Sequence, residues 1–301
     1  MNSAKARSAS DKIFDGTIFA ILTIVFLAVA YPLYFVLISS ISDPLAVASG
    51  KVLFYPSGLT LDGYRSVFEQ RTVMRGFANS LLYTTVGVCI NLFVTIPTAY
   101  ALSRRDFSLR KPITFYYLLT MFVSGGTMPT YLIVRSTGLL DSIWALVIPG
   151  ALAVYNLIVA RTFFITNIPS ELLEAAKLDG CGNTRFFFFI CLPISSAIIA
   201  IMVLYYGVGH WNSYFSALLY INARSKWPLQ MELRNILLLN SMSNQSGVLS
   251  AEALKEKERL EAIKDMMKYS LIIVSSLPVI ILYPFIQRHF VKGVMIGSVK
   301  G

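Results

Sequence analysis

Charge is what this 301-residue chain has least of: Asp, Glu, Lys and Arg together make up 14% of it, against about a quarter in a soluble domain. With 55% hydrophobic residues and a mean hydropathy of +0.64, the composition excludes an ordinary soluble protein and defines a membrane one. Cysteine is nearly absent. Cys89, Cys181 and Cys191 lie in or beside apolar runs without ligand-like spacing, which excludes a disulfide framework and argues against a metal centre. There are two histidines and no H-E-x-x-H, no G-x-S-x-G and no G-x-x-x-x-G-K-[ST], so neither a zinc hydrolase, a serine nucleophile nor a phosphate-cradling loop is encoded. The net charge of +10 would suit nucleic acid if it were gathered on one face. The basic residues are instead scattered over the ends of apolar runs, which is the pattern membrane topology imposes.

What is present is a series of stretches without any Asp, Glu, Lys or Arg: 16–42, 76–103, 112–134, 142–160, 186–223 and 269–287. A helix crossing a hydrocarbon core needs about 20 residues, so these predict six spans in an all-α membrane protein. The fifth stretch is too long for one crossing. Pro193 and His210-Trp211-Asn212 suggest a core near 194–218, with the Phe186 to Phe189 run ending the preceding loop. The first run is too long for a signal-peptide core and reads as a retained span. Lys and Arg number thirteen in segments 1–15, 104–111, 161–185 and 288–301, against five in 43–75 and 135–141. That bias puts both termini on the cytoplasmic side.

The expected domains are a cytoplasmic tail at 1–15, a six-helix transmembrane domain at 16–290 and a cytoplasmic tail at 291–301. An external segment, 219–268, holds a polar tip at 241–249 and an amphipathic pattern from Ser250 to Met267. Within the spans His210 is the one ionisable residue other than Cys and Tyr, and it reads as a packed polar side chain. Proton- or sodium-coupled carriers place acids, histidines or unwound helix ends in mid-membrane. Their scarcity here asks for an external source of energy.

The loop at 166–193 offers that route. Ser170 can cap a helix, Glu171 and Glu174 fall in its first turn, and Gly180 and Gly182 end it. Glu174-Ala175-Ala176, then Gly180, then Ile190, Leu192 and Pro193 form the pattern EAA, three residues, G, nine residues, I-x-L-P. This resembles the EAA loop of ATP-binding-cassette (ABC) importer permeases, the membrane subunits served by a separate binding protein and a separate ATPase. The resemblance implies a short coupling helix between the fourth and fifth spans. Glu174 would contact the ATPase, Ala175 and Ala176 would permit close approach, Gly180 would turn the chain, and Leu192 and Pro193 would lead into span five.

Trp211-Asn212, Asn156 and the ending from Phe290 through Ile296 to Gly301 resemble carbohydrate-uptake permeases of the maltose-system type, in particular the branch handling oligosaccharides and polysaccharide fragments, alginate among them. The partners this implies are a second related permease, two ATPase subunits that bind ATP and magnesium, and an extracytoplasmic binding protein at a bacterial cytoplasmic membrane. Residues near 235–250 would meet that binding protein. No cofactor is expected in this chain, nor an ATPase site of its own. Aromatic faces suit sugar rings and amides suit sugar hydroxyls, so Tyr131, Asn156, Tyr205, Tyr206, Trp211 and Asn212 are candidates for the pathway. The same residue types also hold helices together. An ABC permease for a non-sugar solute and a stand-alone carrier remain open at this level.

Overall fold

The computed structural model describes residues 9–241, 262–264, 266–284 and 287, and it is helical, with no strand among the described residues. Three helices are long and apolar enough to cross a bilayer unbroken: α1 (Ala9–Ser40), α4 (Arg71–Ser103) and the last, α15 (Ala262–Pro284). The remaining elements are α2 (Pro44–Ala48), α3 (Asp62–Glu69), α5 (Arg110–Phe122), α6 (Thr127–Ser136), α7 (Ile143–Val147), α8 (Val154–Asn167), α9 (Ser170–Leu178), α10 (Asn183–Phe186), α11 (Leu192–Ile194), α12 (Ser196–Trp211), α13 (Phe215–Tyr220) and α14 (Leu229–Ser241). One π turn, Phe187–Cys191, joins α10 to α11.

The chain divides into two compact units. The first takes residues 1–70 and 236–274. Its α1 carries only apolar and small residues over most of its length, and Thr17 and Thr23 satisfy their hydroxyls by donating to the carbonyls of Ile13 and Phe19 one turn back. Only 6% of its apolar window is buried within the chain, so its surface must meet lipid or another subunit. The segment after α1 folds back on it. Asp43 caps α2 through the Ala46 amide at 3.1 Å, and Ile38, Ala46 and Val52 form a small core. Phe35 meets Tyr269 edge to face at 5.9 Å.

The second unit takes residues 71–235 and 275–301, and α4 is its axis, with α12 and α8 packed along it. Near one end, Ile96, Ala99 and Leu102 of α4 meet Leu157, Ala160 and Phe164 of α8 and Ile198 and Met202 of α12. Near the other, Tyr83 gathers Val134, Ala145, Leu146, Ala217, Tyr220 and Met231. Between these two apolar clusters lies a polar layer. Asn91, fully buried, donates from Nδ2 to the carbonyls of Gly150 and Ala151, each at 2.8 Å, and its Oδ1 lies 2.7 Å from His210 Nε2. Thr95 Oγ1 is 2.7 Å from the Tyr206 hydroxyl, which also accepts from the Ala153 amide at 3.2 Å. These side chains satisfy the backbone where Pro149 and Gly150 interrupt the helix, as an apolar environment requires.

Several sequence-level expectations are corrected here. The predicted tail at 1–15 enters α1 from Ala9 onward, and the second span starts at Arg71 instead of 76. A helix end tolerates basic residues at the interface, so charge-free stretches understate helix length. The third predicted span, 112–134, is two helices, α5 and α6, bent by 113° where Gly126 adopts φ +83°. The fourth, 142–160, is no single helix: α7 has five residues, and α8 starts at Val154 and runs on through Arg161 to Asn167.

The fifth stretch is a bent pair, helical structure over Asn183–Ile194 and then α12, with a 78° bend between them, and α12 lies within the core expected near 194–218. Pro193 therefore lies just before that bend, inside helical structure, and does not open the span. Within the predicted external segment, α14 packs on α4 where Gly76 leaves room for the Leu229 backbone, and Ser80 Oγ accepts from the Leu229 amide at 2.8 Å. The final span begins by Ala262 instead of 269. The tip at 241–249, nearly all of the 250–267 pattern and the ending from Phe290 lie outside the described residues, apart from Ser241 at the end of α14.

The polar layer yields a direct prediction. Asn91→Leu strands two carbonyls, each worth about 1–3 kcal/mol when buried without a partner. Gly87→Ala places a Cβ 2.5 Å from His210 Nε2 and displaces the same ring. Both variants are expected to lower the thermal unfolding midpoint in detergent, while Cys89→Ala on the exposed face of the same helix leaves it unchanged.

Candidate functional site

The best-defined candidate is α9 and the turns that hold it. Pro169 precedes the helix in extended conformation, and Ser170 is the first helical residue, with no side-chain cap bond. The expected Ser170 cap is therefore not formed. The C-terminal end is closed by a paired backbone motif: Cys181 N–H reaches the Ala176 carbonyl at 2.8 Å and Gly180 N–H reaches the Lys177 carbonyl at 3.0 Å. Gly180 sits at φ +73°, where a Cβ would be strained. Gly182, by contrast, has an ordinary φ of −70° and caps α10.

The two alanines do different things. Ala176 is buried in the core formed by Leu102, Phe164, Phe186 and Phe187, so its small side chain lets α9 approach its own chain. Glu174 and Ala175 lie on the exposed side of α9, with Glu171 and Leu178. Leu192 and Ile190 pack against the core cluster, and Pro193 is exposed.

A charged link that the sequence reading missed ties α9 to the end of α4. Lys177 Nζ lies 3.3 Å from Asp106 Oδ2, and Asp106 also accepts from Arg104 through both oxygens, Nε at 2.8 Å to Oδ1. Arg104 Nη1 donates to the Tyr100 hydroxyl at 2.8 Å. The Tyr100 ring lies 4.9 Å from Phe187 and 5.9 Å from Phe164. A continuous path thus runs from α9 through Asp106, Arg104 and Tyr100 into the aromatic core. The available signal was Asp106 itself, the lone acid among four cations at 104–111.

Hydrogen bonding from Arg104, assisted by Lys177, holds the Asp106 carboxyl well below the usual carboxylate range, against a smaller opposing effect of burial. A depressed carboxylate contributes fully above its ordinary pKa of about 3.9 and loses that contribution only as pH falls through the lower folded value.

The pathway candidates separate by burial. Tyr206 and Trp211 are buried and committed to packing, Trp211 donating to the Ser275 carbonyl at 2.8 Å and meeting Phe77 edge to face. Asn156 is buried on α8, and Tyr131 stacks on Tyr220 at 6.3 Å in the far cluster. Tyr205 and Asn212 are exposed. Tyr205 pairs with the exposed Tyr155 at 6.5 Å, a residue the sequence reading passed over beside Asn156.

At the opposite end of α4, Asp141 accepts from the amides of Asn222 and Ala223 and pairs with Lys226 at 3.2 Å, and these contacts hold its carboxyl below the usual range. Arg224 clamps the buried Glu232 through two contacts of 3.1 Å.

An all-helical membrane fold with a glycine-closed helix of this pattern ahead of a bent helix pair matches the permease class of ABC systems. No protein-family model matches the chain. It is 40% identical over 291 residues to the polygalacturonan/rhamnogalacturonan transport system permease protein YtcP of Bacillus subtilis (strain 168), covering 97% of this chain and 99% of the relative. It is 38% identical to protein LplC of the same organism, covering 95% and 96%. A chain in the crystal structure of a bacterial ABC transporter involved in the import of the acidic polysaccharide alginate superposes with a TM-score of 0.85 at 29% identity, over 95% of this chain and 100% of that one. The chain belongs to the family of carbohydrate ABC-transport-system permeases.

Asp106→Asn removes both charged contacts to a side chain that is 47% exposed, so stability should change by less than about 1 kcal/mol. The position of α9 should change more. Spin labels at Ser108 and Leu178 are expected to give a broadened distance distribution in the variant, and a narrow one in the parent that is constant between about pH 5 and 8. An unchanged distribution in the variant would show that the link does not hold α9.

Proposed function

We propose that the chain is one of two permease subunits of a carbohydrate ABC importer in a bacterial cytoplasmic membrane. It works with a second related permease, two ATPase subunits that bind ATP and magnesium, and an extracytoplasmic binding protein. It has six membrane crossings with both termini inside, and no ATPase site of its own. The observation that carries this reading is α9. Its inner face is anchored by Ala176 while Glu174 and Ala175 are left exposed, so it can seat in a cleft on an ATPase and convey that protein's closure to the bent spans. A rigid-body change of this kind requires only that ATP favour one state of the partner.

The cargo we infer is an oligosaccharide or polysaccharide fragment, since one relative is named for polygalacturonan and rhamnogalacturonan and a solved relative for alginate. Tyr205 and Asn212, with Tyr155 beside Tyr205, are the wall residues of choice because they are exposed. Tyr131, Asn156, Tyr206 and Trp211 would support that wall from behind.

Two tests bear on the reading. Purification from native membranes should recover a second permease and an ATPase, whereas a chain recovered alone and active in liposomes without ATP would make it a carrier. In the assembled transporter, Glu174→Lys and Gly180→Pro should abolish ATP-driven uptake while leaving the protein in the membrane. Normal uptake by both variants would remove α9 from the coupling role. Uptake assays with galacturonan, alginate and neutral glucan oligosaccharides then rank the cargo. A preference for amino acids, peptides or ions would overturn the carbohydrate assignment.

A further inference from the structure

A cavity of about 430 Å³ opens beside the end of α4 that carries the link to α9, between α4, α5 and α8. Its polar wall is built from Arg105, Arg110, Lys111, Arg161 and Thr114, with no carboxylate in the lining. Four cations around one cavity repel one another, and the carboxylate nearest in sequence, Asp106, is already taken by Arg104 and Lys177. Arg110 uses one nitrogen on the Arg104 carbonyl at 3.3 Å, and Arg161 uses Nε on the Leu102 carbonyl at 3.0 Å. Both keep further N–H groups that these bonds do not use. The Thr114 hydroxyl is buried without a hydrogen-bond partner. Arg110 and Lys111 also open α5, whose first turn presents the positive end of a 13-residue helix.

The remaining wall is apolar. Phe115, Leu118 and Ile165 line it, and Phe115 and Ile165 are exposed large hydrophobics. Along α5 the cavity is therefore amphipathic, with Arg110 and Lys111 at the helix start and Phe115 and Leu118 further in. A free anion would use only the first part. We propose that this cavity binds the phosphate of an anionic phospholipid headgroup from the cytoplasmic leaflet, with an acyl chain along Phe115 and Leu118. This rests on the inside placement of the α9 end given above. A basic pocket between membrane helices on that side is suited to such lipids. Its occupation neutralises the cluster next to the Asp106 link, so a bound lipid steadies the base on which α9 sits.

The test uses the complete transporter in nanodiscs of phosphatidylcholine with or without phosphatidylglycerol, followed by native mass spectrometry of retained lipid. The variant R105Q/K111Q removes two cations that make no ion pair among the described residues, so it should fold normally. K51Q/R135Q removes two exposed charges elsewhere and serves as the control. With two of the four cations gone, the double variant should retain phosphatidylglycerol at least about tenfold more weakly. The control should match the parent, and excess inorganic phosphate should not displace the lipid.

Equal retention by all three proteins overturns the site. Displacement by inorganic phosphate at the same affinity in lipid-free detergent overturns the lipid assignment in favour of a free anion. Co-purification of the ATPase is read in the same preparation. An intact assembly without lipid selectivity defeats this inference alone, whereas a chain that binds no ATPase defeats the permease reading and leaves the lipid result standing.

Discussion

Backbone carbonyls cannot be left bare in hydrocarbon, and the interruption at Pro149-Gly150 exposes at least two of them in the middle of the larger unit. Asn91 answers that constraint with one side-chain amide, and His210, Thr95 and Tyr206 complete the layer. The arrangement depends on α4 being long enough to carry residues for two apolar clusters and the polar band between them. It also depends on Gly87, since the imidazole of His210 occupies the space a Cβ would need. Each bent span leans on this one helix.

The same axis organises the end at which α9 sits. Leu102 and Ala99 pack the aromatic core on which Ala176 rests, and the next residues, Arg104 to Asp106, reach sideways to Lys177. A helix of nine residues has little stability alone. Here its inner face is fixed by packing, its end by the glycine turn and its flank by one ion pair. Its outer face is left without obligations to its own chain, which is what a docking element requires. At the far end, Asp141 and the Arg224–Glu232 clamp tie the segment after α13 to its neighbours. Tight polar contacts thus stand at both ends of α4, while the middle relies on shared hydrogen bonds.

Much of the loop that carries α9 was legible in the residues. The EAA-to-proline spacing located α9 within two residues of its observed bounds, and Gly180 adopts the positive φ that only glycine takes without cost. Local chemistry sufficed there, because a helix stop and a tight turn are decided within a few positions. The roles assigned to Ser170 and Ala176 were less legible. A cap depends on how the preceding proline directs the chain, and the face an alanine presents depends on what packs against it. Pro193 misled for a similar reason. Proline marks a helix boundary from local rules, yet here a π turn carries helical structure past it to a bend at Ser195.

Composition, charge and residue spacing determined that this is a helical membrane protein, which stretches are apolar and where the short loop with the EAA pattern lies. These follow from transfer energies and local turn chemistry, which are properties of neighbouring residues. Only the tertiary structure decided that charge-free stretches are bent or broken helices, that Asn91 and Tyr206 are internal supports, and that Asp106 joins Arg104 to Lys177. The contacts of Asn91, Tyr206 and Lys177 behind these features join residues 53 to 119 positions apart in the chain. Their partners are chosen by which backbone groups need satisfying and which helices approach, and no local pattern carries that information.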